Sequence, residues 1–355
     1  MPIKKELKIN LLLLCVSLFI VLVFGEIFLR ATGYYGVRGE SVTNLRLVED
    51  DVLDYRYEPN SSWIKNNLRY NINKHGWRDY NHDYEKPDNT VRILVLGDSI
   101  TNGYGINMEE IYAKQFEQEL NKDSGSSNRY EVITIAMSGL NTKQEAYLFE
   151  TEGIKFDPDV VVIGYALNDP EKGSSLRKSR QSKEKRSLLY KLKQAANRLS
   201  IVHLLYRSSQ KLRWKISIAL GIEETADYVK EDYFSALHND PKKWGSVVEG
   251  FAKIRSLAKE HNIASVLMIF PVMSDLGNYK WTDVHKQVSD AASKSNFIVL
   301  DLVKDYSKYK GSDLQVDSGD HVHPNAIGHK IAADALYQFF KKNDHLLTHS
   351  ADKTV

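Results

Sequence analysis

Four short segments, in order along the chain, carry the residue types that acyl-group chemistry requires. They are Gly97–Ile100, Ser138–Gly139, Gly164–Asp169 and Asp320–Pro324. Among them are a serine hydroxyl, a glycine and an asparagine that offer N–H donors, and a histidine preceded by an aspartate. Nucleophilic acyl transfer needs a nucleophile, a base oriented by a carboxylate, and donors for the oxyanion that develops. Together the four segments predict chemistry on an acyl group, whereas none of them would be convincing alone.

Ser99 and His323 are the predicted nucleophile and base. A serine hydroxyl is a poor nucleophile until a base removes its proton, so Ser99 needs a histidine within hydrogen-bond reach. Asp320, three residues before His323, would hold the imidazole in the proper tautomer and stabilise its cationic form. Pro324 and Asn325 then open a helix that fixes this loop relative to Ser99. The apolar positions of that helix, predicted to pack on the sheet, are Ile327, Ile331, Ala335 and Leu336.

His321 is the competing histidine, and its spacing from His323 is also compatible with a metal site. A metal enzyme needs further ligands of suitable geometry, and the sequence offers no second cluster near this pair. We therefore predict no metal and no cofactor. His321 is expected to face solvent or to line the mouth of the pocket.

Three N–H donors are predicted to surround the developing oxyanion. They are the backbone N–H groups of Ser99 and Gly139 and the side-chain amide of Asn168. Each residue has a plainer alternative, since Gly139 suits any turn and Asn168–Pro170 is a common turn initiator. Their position after successive predicted strands favours the catalytic interpretation. Asp98 is predicted to brace the nucleophile turn through backbone hydrogen bonds and to take no part in the chemistry.

The elements that must position these residues alternate between strand and helix. Short apolar runs, typical of strands buried on both faces, are Val91–Leu96, Val132–Ala136, Val160–Ile163, Ala264–Phe270 and Phe297–Leu300. Helical periodicity separates them, over Met108–Leu120 and Val247–Leu257. Alternation of this kind predicts an α/β fold with a parallel sheet and helices on both faces. Ligands bind outside the carboxyl ends of such strands, which is where the motifs fall.

The motifs resemble the four blocks of the SGNH, or GDSL-type, serine hydrolase superfamily, in the same order. The matching residues are Gly97–Ile100, Gly139, Asn168, Asp320 and His323. This resemblance spans residues 91–340 and implies a flavodoxin-like three-layer α/β/α fold, no metal, and hydrolysis of esters, thioesters or O-linked acyl groups. Gly139–Glu145 and Arg78 also look like a membrane-anchored bacterial subgroup of that superfamily.

An apolar N-terminal stretch, residues 9–30, predicts one transmembrane helix before this domain. Its apolar part runs from Leu11 to Leu29 and is broken only by Glu26. At about 1.5 Å per residue this part is on the order of 28 Å long, close to the thickness of the hydrocarbon core. A cleaved signal peptide also has a basic start, but its apolar region is usually shorter and ends in small residues. The sequence favours an uncleaved anchor, with cleavage as the alternative.

The charges that flank this stretch predict its orientation. Lys4, Lys5 and Lys8 precede it, whereas Arg30 and Arg38 follow it. The flank with more positive charge stays inside, so residues 1–8 are expected in the cytoplasm and the rest on the periplasmic or outer face of a bacterial inner membrane.

Composition is that of an ordinary globular protein. Hydrophobic residues make up 42% and charged residues 26%, with a net charge of +2, so a sizeable core is available and no nucleic-acid partner is expected. Cys15 is the only cysteine, which excludes an intramolecular disulfide. It is interpreted as a membrane-buried thiol, because the bulky Leu14 before it does not suit lipid modification.

The remaining regions complete the predicted organisation. They are a connector that packs on the domain, the hydrolase domain, a basic helical insertion within it and a polar tail, at residues 31–90, 91–341, 171–240 and 342–355. Glu171–Lys215 holds fourteen Lys or Arg residues against two acids. A helix over 177–215 with one apolar face would lie on an anionic membrane, or else pack on the domain with its charges solvated. Because it follows Asn168, it would form a wall or lid of the site in either case.

These observations predict a membrane-anchored, extracytoplasmic serine esterase or deacylase acting on an O-acylated carbohydrate or lipid. One alternative is an O-acyltransferase acting on cell-envelope polysaccharide, in which a carbohydrate hydroxyl replaces water as the acceptor. Another is a non-catalytic glycan-binding module on the same fold. Loss of a catalytic residue would favour the module, and this sequence lacks none of them.

Overall fold

Five of the apolar runs form one parallel β-sheet. The computed structural model describes residues 2–32, 45–47, 52–53, 55–65, 68–123, 129–171, 199–202, 204–205, 208–209, 212 and 233–348. The chain divides into two compact units, one of residues 1–44, 62–70 and 178–222 and one of residues 45–61, 71–177 and 223–355. The sheet belongs to the second unit.

The described strands form two short two-stranded sheets and the main five-stranded sheet. The short strands are β1 (Leu45–Leu47), β2 (Tyr55–Tyr57), β3 (Ser62–Lys65) and β4 (Leu68–Asn71). The main sheet consists of β5 (Thr90–Gly97), β6 (Arg129–Ala136), β7 (Val160–Tyr165), β8 (Ala264–Ile269) and β9 (Ile298–Asp301). Each of the five predicted runs coincides with one main-sheet strand, with Phe270 and Phe297 one residue outside the observed ends, so this prediction is confirmed.

The strand order of the main sheet is β6-β5-β7-β8-β9, and all neighbours are parallel. Numbered from the first strand of the sheet, this order is 2-1-3-4-5, the flavodoxin-like order, with its switch point between β5 and β7. Gly97 at the end of β5 pairs with Ala136 of β6 and with Gly164 of β7. The residues that follow these three positions therefore emerge at one edge of the sheet.

The helices lie between and after the strands. They are α1 (Pro2–Ala31), α2 (Tyr112–Asp123), α3 (Thr142–Thr151), α4 (Tyr233–Asn239), α5 (Pro241–Glu260), α6 (Thr282–Lys294), α7 (Val303–Tyr306), α8 (Gly311–Leu314), α9 (Ala326–Lys342) and α10 (His345–Thr348). The periodic stretch from Met108 to Leu120 is interrupted, because a 3₁₀ turn at Met108–Glu110 ends at Ile111 in extended backbone. The α-helix begins only after it.

Helices cover both faces of the sheet. On one face, Ile93 and Val95 of β5 belong to a buried cluster that includes Phe116 of α2 and Phe340 of α9. Alternate residues of a strand point to opposite faces, and Leu94 meets the 3₁₀ turn after α3, where a β-carbon at Gly153 would lie 2.6 Å from it. Because α3 packs against α5 and α2 against α9, the predicted three-layer α/β/α architecture is confirmed.

The helix after the histidine motif begins as predicted but packs differently in its first turn. The Asn325 side chain caps α9 by accepting hydrogen bonds from the N–H groups of Ile327 (3.0 Å) and Gly328 (3.1 Å). Leu336 is fully buried, but Ile327 is 54% exposed. The prediction that Ile327 packs on the sheet is wrong, because the buried face of α9 includes Gly328, Ala332 and Leu336, and Ile327 lies outside that face.

The segment before β5 reaches deep into the domain. Arg78 and Asp79 are both buried. The Asp79 carboxylate lies 2.5 Å from the Lys114 ammonium of α2 and accepts a hydrogen bond of 2.7 Å from the Thr134 N–H of β6. This buried pair joins the segment to a helix and a strand.

In the first unit, α1 contains a span, Ile9–Ala31, that is the one described helix long and apolar enough to cross a membrane. An N-terminal signal sequence has the same character. Glu26 within the span pairs with Arg30 at 2.7 Å and accepts a hydrogen bond of 2.9 Å from the N–H of Ile201. Most of the predicted basic helix 177–215, the end of the predicted tail and the side chains of residues 1–8 and Cys15 lie outside the described residues.

Candidate active site

β5 ends at Gly97, and Ser99 lies two residues later in the turn that follows the strand. The fully buried Asp98 accepts a hydrogen bond of 2.9 Å from the N–H of Ile100 at Oδ1, and its carbonyl accepts one of 2.9 Å from the N–H of Asn102. These bonds are of the bracing kind expected for Asp98. Ser99 is 8% exposed, and its hydroxyl also lies 3.2 Å from Asp98 Oδ2.

The structure brings Ser99, His323 and Asp320 together in that order. Ser99 Oγ is 2.9 Å from His323 Nε2. The other ring nitrogen, Nδ1, is 2.8 Å from Asp320 Oδ2 and 3.0 Å from Oδ1. Because an ionised carboxylate can only accept, Nδ1 carries a proton and Nε2 of the neutral ring is left to accept the serine hydroxyl proton.

Asp320 remains ionised in this setting. Burial alone would raise the pKa of its carboxyl, but the hydrogen bond and charge of His323 hold that pKa below its usual 3.8. The backbone N–H groups of Val322 (3.1 Å) and His323 (3.0 Å) also donate to Asp320 Oδ1. The carboxylate is thus oriented by its own loop and faces the imidazole as an anion.

Two residues that the motifs did not reveal, Arg78 and Tyr104, support the turn after the nucleophile. Arg78 donates hydrogen bonds to the carbonyls of Asn102 (2.9 Å) and Ile106 (2.7 Å). The Tyr104 N–H donates to the Ser99 carbonyl at 3.0 Å. The Tyr104 ring packs on the His323 imidazole, with centroids 4.5 Å apart. The glycines that flank Tyr104 were the available sequence signal for a shaped loop.

Gly139 lies at the same sheet edge, three residues after β6 ends. Its φ of 81° is a left-handed conformation, which glycine adopts without the steric cost of a side chain. The turn is closed by a hydrogen bond of 3.2 Å from the Leu140 N–H to the Met137 carbonyl. Tyr55 adds a hydrogen bond of 3.0 Å to the carbonyl of Ser138. The turn assigned to Gly139 from the sequence is therefore present.

Asn168 reaches the nucleophile turn from the end of β7. Its Nδ2 group donates a hydrogen bond of 3.4 Å to Asp98 Oδ2, the same oxygen that lies beside the Ser99 hydroxyl. That bond is long, so the amide is only loosely held by Asp98. The side chain thus approaches Ser99, with an N–H donor next to the reacting hydroxyl.

His321 does not share the position of His323. Its ring is partly buried, with Nδ1 2.8 Å from Gln315 Nε2 and 3.1 Å from the Met273 carbonyl. The expectation that His321 faces solvent or the pocket mouth overlooked these partners, because Gln315 and Met273 belong to no recognisable motif. Among the described residues, the histidine that contacts the Ser99 hydroxyl is His323.

Two further carboxyl groups are buried behind the site. Glu145 of α3 is fully buried and Asp169, next to Asn168, is 1% exposed. Burial and then the charges of neighbouring carboxylates raise the pKa of both groups well above their usual values. Thr142 donates a hydrogen bond of 2.8 Å to Asp169 Oδ2. Both groups therefore favour the neutral form more strongly than an exposed carboxyl does.

The described residues contain no group of three or more His, Cys, Asp or Glu side chains arranged to hold a metal ion. Around Ser99, a hydroxyl, an imidazole and a carboxylate form a hydrogen-bonded series, and the amide of Asn168 lies near by. Such a set is suited to covalent acyl chemistry.

Comparison with known proteins agrees with this chemistry. The sequence profile of the GDSL-like Lipase/Acylhydrolase family matches residues 95–331. Comparison with curated protein sequences gives no match.

Several solved structures are similar to this one. An acetyl xylan esterase, AlAXEase, has 18% identity, covers 70% of this chain and 99% of that chain, and gives a TM-score of 0.43. The psychrotrophic esterase EstA from Pseudoalteromonas sp., inhibited by monoethylphosphonate, has 16% identity, with 73% and 100% coverage and a TM-score of 0.42. A two-domain esterase (CEX) active on acetylated mannans has 14% identity, with 75% and 52% coverage and a TM-score of 0.43.

Proposed function

The chain belongs to the GDSL-like lipase/acylhydrolase family and is an ester-hydrolysing enzyme, and we propose that Ser99, His323 and Asp320 are its catalytic triad. The observation that carries this proposal is the unbroken series of contacts from Ser99 Oγ to His323 (2.9 Å) and from His323 to Asp320 (2.8 Å). A glycan-binding module would need no such series, so the contacts favour catalysis over binding alone.

Acylation begins when Ser99 Oγ attacks the ester carbonyl carbon and His323 Nε2 takes its proton. The carbonyl electron pair moves to oxygen, and this oxyanion accepts hydrogen bonds from the backbone N–H groups of Ser99 and Gly139 and from Asn168 Nδ2. Asp320 stabilises the imidazolium that forms. The intermediate then collapses, and the alcohol leaves with the proton that His323 returns to it.

Deacylation repeats these steps with water. His323 removes a proton from water as the water oxygen attacks the acyl-enzyme carbonyl, and collapse releases the carboxylic acid while the proton returns to Ser99 Oγ. The reaction therefore consumes one ester and one water and needs no cofactor. A carbohydrate hydroxyl in place of water would give acyl transfer with the same groups.

The proposal includes the location and substrate class. α1 would anchor the protein in a bacterial inner membrane, with residues 1–8 in the cytoplasm and the hydrolase domain, residues 91–341, outside, because Lys4, Lys5 and Lys8 precede the span. The substrates would be O-acylated carbohydrates or lipids, the esters that an enzyme tethered to this surface meets. The basic insertion, residues 171–240, would lie beside that surface or beside the site.

The test uses the full chain in detergent micelles. The wild type should hydrolyse p-nitrophenyl acetate, whereas Ser99→Ala and His323→Ala should fall to the background rate. Full activity in Ser99→Ala would refute the triad. Free acetate from an acetylated oligosaccharide would support hydrolysis, and an acetylated acceptor in its place would identify a transferase.

Topology is measured separately. A reporter that is active only outside the cytoplasm, fused after Val355, should be active. Activity of a cytoplasmic reporter at the same position would overturn the orientation, and a mature protein that begins after Leu29 would show that the anchor is cleaved.

A further inference from the structure

We propose that Gln315 is a positioning residue that fixes the catalytic loop through Met273 and His321. The catalytic loop is the segment 315–325, between α8 and α9, that carries Asp320 and His323. The inference rests on the proposed triad, because it concerns how the acid and base of that triad are held.

The catalytic loop is closed by backbone hydrogen bonds but has few of them. The Val316 N–H donates to the His323 carbonyl at 3.0 Å, and the Asn325 N–H donates to the Leu314 carbonyl at 2.7 Å. The Asp320 N–H donates to the Asp317 carbonyl at 2.9 Å across a tight turn. These bonds join the two ends of the loop to each other, so its orientation toward β5 and Ser99 needs a contact from outside.

The Gln315 side chain supplies that contact. Its Oε1 accepts a hydrogen bond of 3.0 Å from the N–H of Gly319. Its Nε2 donates to the Met273 carbonyl at 3.0 Å and to His321 Nδ1 at 2.8 Å. Because Gly319 N–H can only donate and the Met273 carbonyl can only accept, the amide has one workable orientation.

That orientation also brings Gln315, Met273 and His321 to one point. His321 Nδ1 lies 2.8 Å from Gln315 Nε2 and 3.1 Å from the Met273 carbonyl, so the imidazole contacts both partners of the Gln315–Met273 hydrogen bond. The backbone of His321 is held as well, because the Met273 N–H donates a hydrogen bond of 2.7 Å to the His321 carbonyl. His321, the residue after Asp320, is therefore held through both its ring and its backbone carbonyl.

Met273 is itself held against the sheet. The preceding Val272 N–H donates to the Tyr279 hydroxyl at 3.1 Å. That hydroxyl is 2.8 Å from His285 Nε2, and His285 Nδ1 is 3.0 Å from the Asp301 carboxylate at the end of β9. The support of the catalytic loop therefore runs from β9, through a buried histidine, to the segment after β8.

Gly311 shows how closely this support is packed. A β-carbon at Gly311 would collide with the carbonyl oxygen of Met273, the acceptor that Gln315 uses. A side chain there would push Met273 away from Gln315 without changing either residue. Gly311→Ala is therefore a second, independent way to disturb the same contact.

The consequence for catalysis follows from distance. A shift of about 1 Å in a reacting group can cost on the order of 10²-fold in rate, and His323 must stay in hydrogen-bond contact with both Ser99 and Asp320. Glutamine is suited to this position because it has one acceptor and two donors at the end of a flexible chain. Methionine fills similar space with no donor, and glutamate has no donor when ionised.

The main test compares Gln315→Met with Gln287→Met, in the full chain. Gln287 is a matched control, since its Nε2 donates a single hydrogen bond of 3.0 Å to the backbone carbonyl of His238, away from the catalytic loop. For Gln315→Met we expect kcat for p-nitrophenyl acetate to fall by about 10- to 100-fold with KM nearly unchanged. Gln287→Met should keep the wild-type kcat. Equal kcat in the two variants would overturn the inference.

A second variant keeps the inference testable if Gln315→Met does not fold. In Gln315→Glu, an ionised carboxylate faces the Met273 carbonyl and Nδ1 of His321, whereas a protonated one can donate again. Its kcat relative to the wild type should therefore rise as pH falls, and a ratio that is constant with pH would overturn the inference.

Coupling to the partner residues gives the final check. Because Gln315 and His321 act through one contact, adding His321→Ala to Gln315→Met should cost little more than Gln315→Met alone. Gly311→Ala should lower kcat in the same manner. Additive losses would contradict a shared role. Failure of the proposed function is distinct from all of these outcomes, because it would appear as full activity in His323→Ala or Ser99→Ala.

Discussion

The two sides of Ser99 hold carboxyl groups in opposite states. On the catalytic loop, His323 lies against Asp320 and the pKa of Asp320 is lowered in spite of burial. Behind the oxyanion side, Glu145 and Asp169 are also buried, but their pKa values are raised well above normal. Among the described residues neither Glu145 oxygen has a hydrogen-bond partner. The carboxyl pKa values on the two sides are therefore shifted in opposite directions, down beside the base and up behind the oxyanion side.

Asp79 shows that the partner, and not burial, decides the state. Burial alone would raise the pKa of Asp79, but the Lys114 ammonium beside it lowers that pKa. Asp79 is as deeply buried as Asp169, at 4% and 1% exposure, and has the opposite shift. A lysine or histidine partner thus separates the carboxyls whose pKa is lowered, Asp79 and Asp320, from those whose pKa is raised.

The largest effect on kcat is expected at Asp320, the carboxylate that orients His323. Asp320→Asn should leave the fold intact and lower kcat by about 10³- to 10⁴-fold, because the amide favours the wrong tautomer of His323. Steady-state hydrolysis of p-nitrophenyl acetate measures this. Asp313→Asn, at an exposed position just before the catalytic loop, is the control and should retain wild-type turnover. A loss of less than tenfold in Asp320→Asn would remove Asp320 from the triad.

Loss of the buried Asp79–Lys114 ion pair should lower the stability of the protein rather than its turnover. Asp79→Ala removes the nearer carboxylate partner of the buried Lys114 and, among the described residues, leaves only the carboxylate of Glu117, at 3.3 Å, so the free energy of unfolding should drop by about 3 kcal/mol. Denaturant unfolding at neutral pH measures the change. The contribution of Asp79 should persist above its ordinary pKa of 3.8 and be lost only as pH falls through the lowered folded pKa. Asp83→Ala, which removes an exposed partner of Lys74, should scarcely change stability, and equal losses would contradict the account.

A smaller effect on turnover is expected at the oxyanion side. Asn168→Ala removes one donor from the charge that develops in the transition state, so kcat should fall by about 10²- to 10³-fold with a modest change in KM. Asn343→Ala at the end of α9, whose amide donates only to the Phe339 carbonyl at 2.8 Å, serves as the control. An unchanged kcat would reduce Asn168 to a turn residue.

The smallest effect on turnover is expected at a neutral acid. Glu145→Gln replaces a protonated carboxyl by an isosteric amide, so kcat near pH 7 should be almost unchanged. A carboxyl with a raised folded pKa contributes to stability below its ordinary 4.5 and loses this as pH rises through the folded pKa. The variant should therefore gain stability over the wild type above that pH, by about 1.4 kcal/mol per pH unit up to the folded pKa.

Melting temperatures across pH check this last prediction. Glu150→Gln on the same helix, where the exposed carboxylate pairs with Lys253, should show no such trend. A parallel pH dependence for Glu145→Gln and the wild type would mean that Glu145 is ionised in the folded protein, and the contrast between the two sides of Ser99 would be wrong.

The sequence predicted the main sheet well because its strands are buried on both faces. Val160–Tyr165 is apolar at almost every position, and such runs are detectable without knowing what covers them. Ile327 was mispredicted because small residues form much of the buried face of α9. Gly328, Ala332 and Ala333 are buried, and a periodicity based on large apolar side chains does not detect such a face.

The sequence predicted those residues of the candidate site that belong to local motifs. Asp320 and His323 lie three residues apart and could be assigned from spacing, although their contact with Ser99 depends on the fold. Gln315, Met273 and Arg78 were missed as supports because they act across 24 to 42 residues through backbone carbonyls. Contacts of this kind follow from the packing of loops and leave no motif in the sequence.

The most direct test of the central claim is covalent labelling of Ser99 in the full chain. A fluorophosphonate should react with the wild type, and mass analysis of the proteolysed protein should place the adduct on the peptide that contains Ser99. Ser99→Ala should carry no adduct, and His323→Ala should react far more slowly because the hydroxyl has lost its base. An adduct that persists in Ser99→Ala, or that maps to another residue of the wild type, would contradict the account.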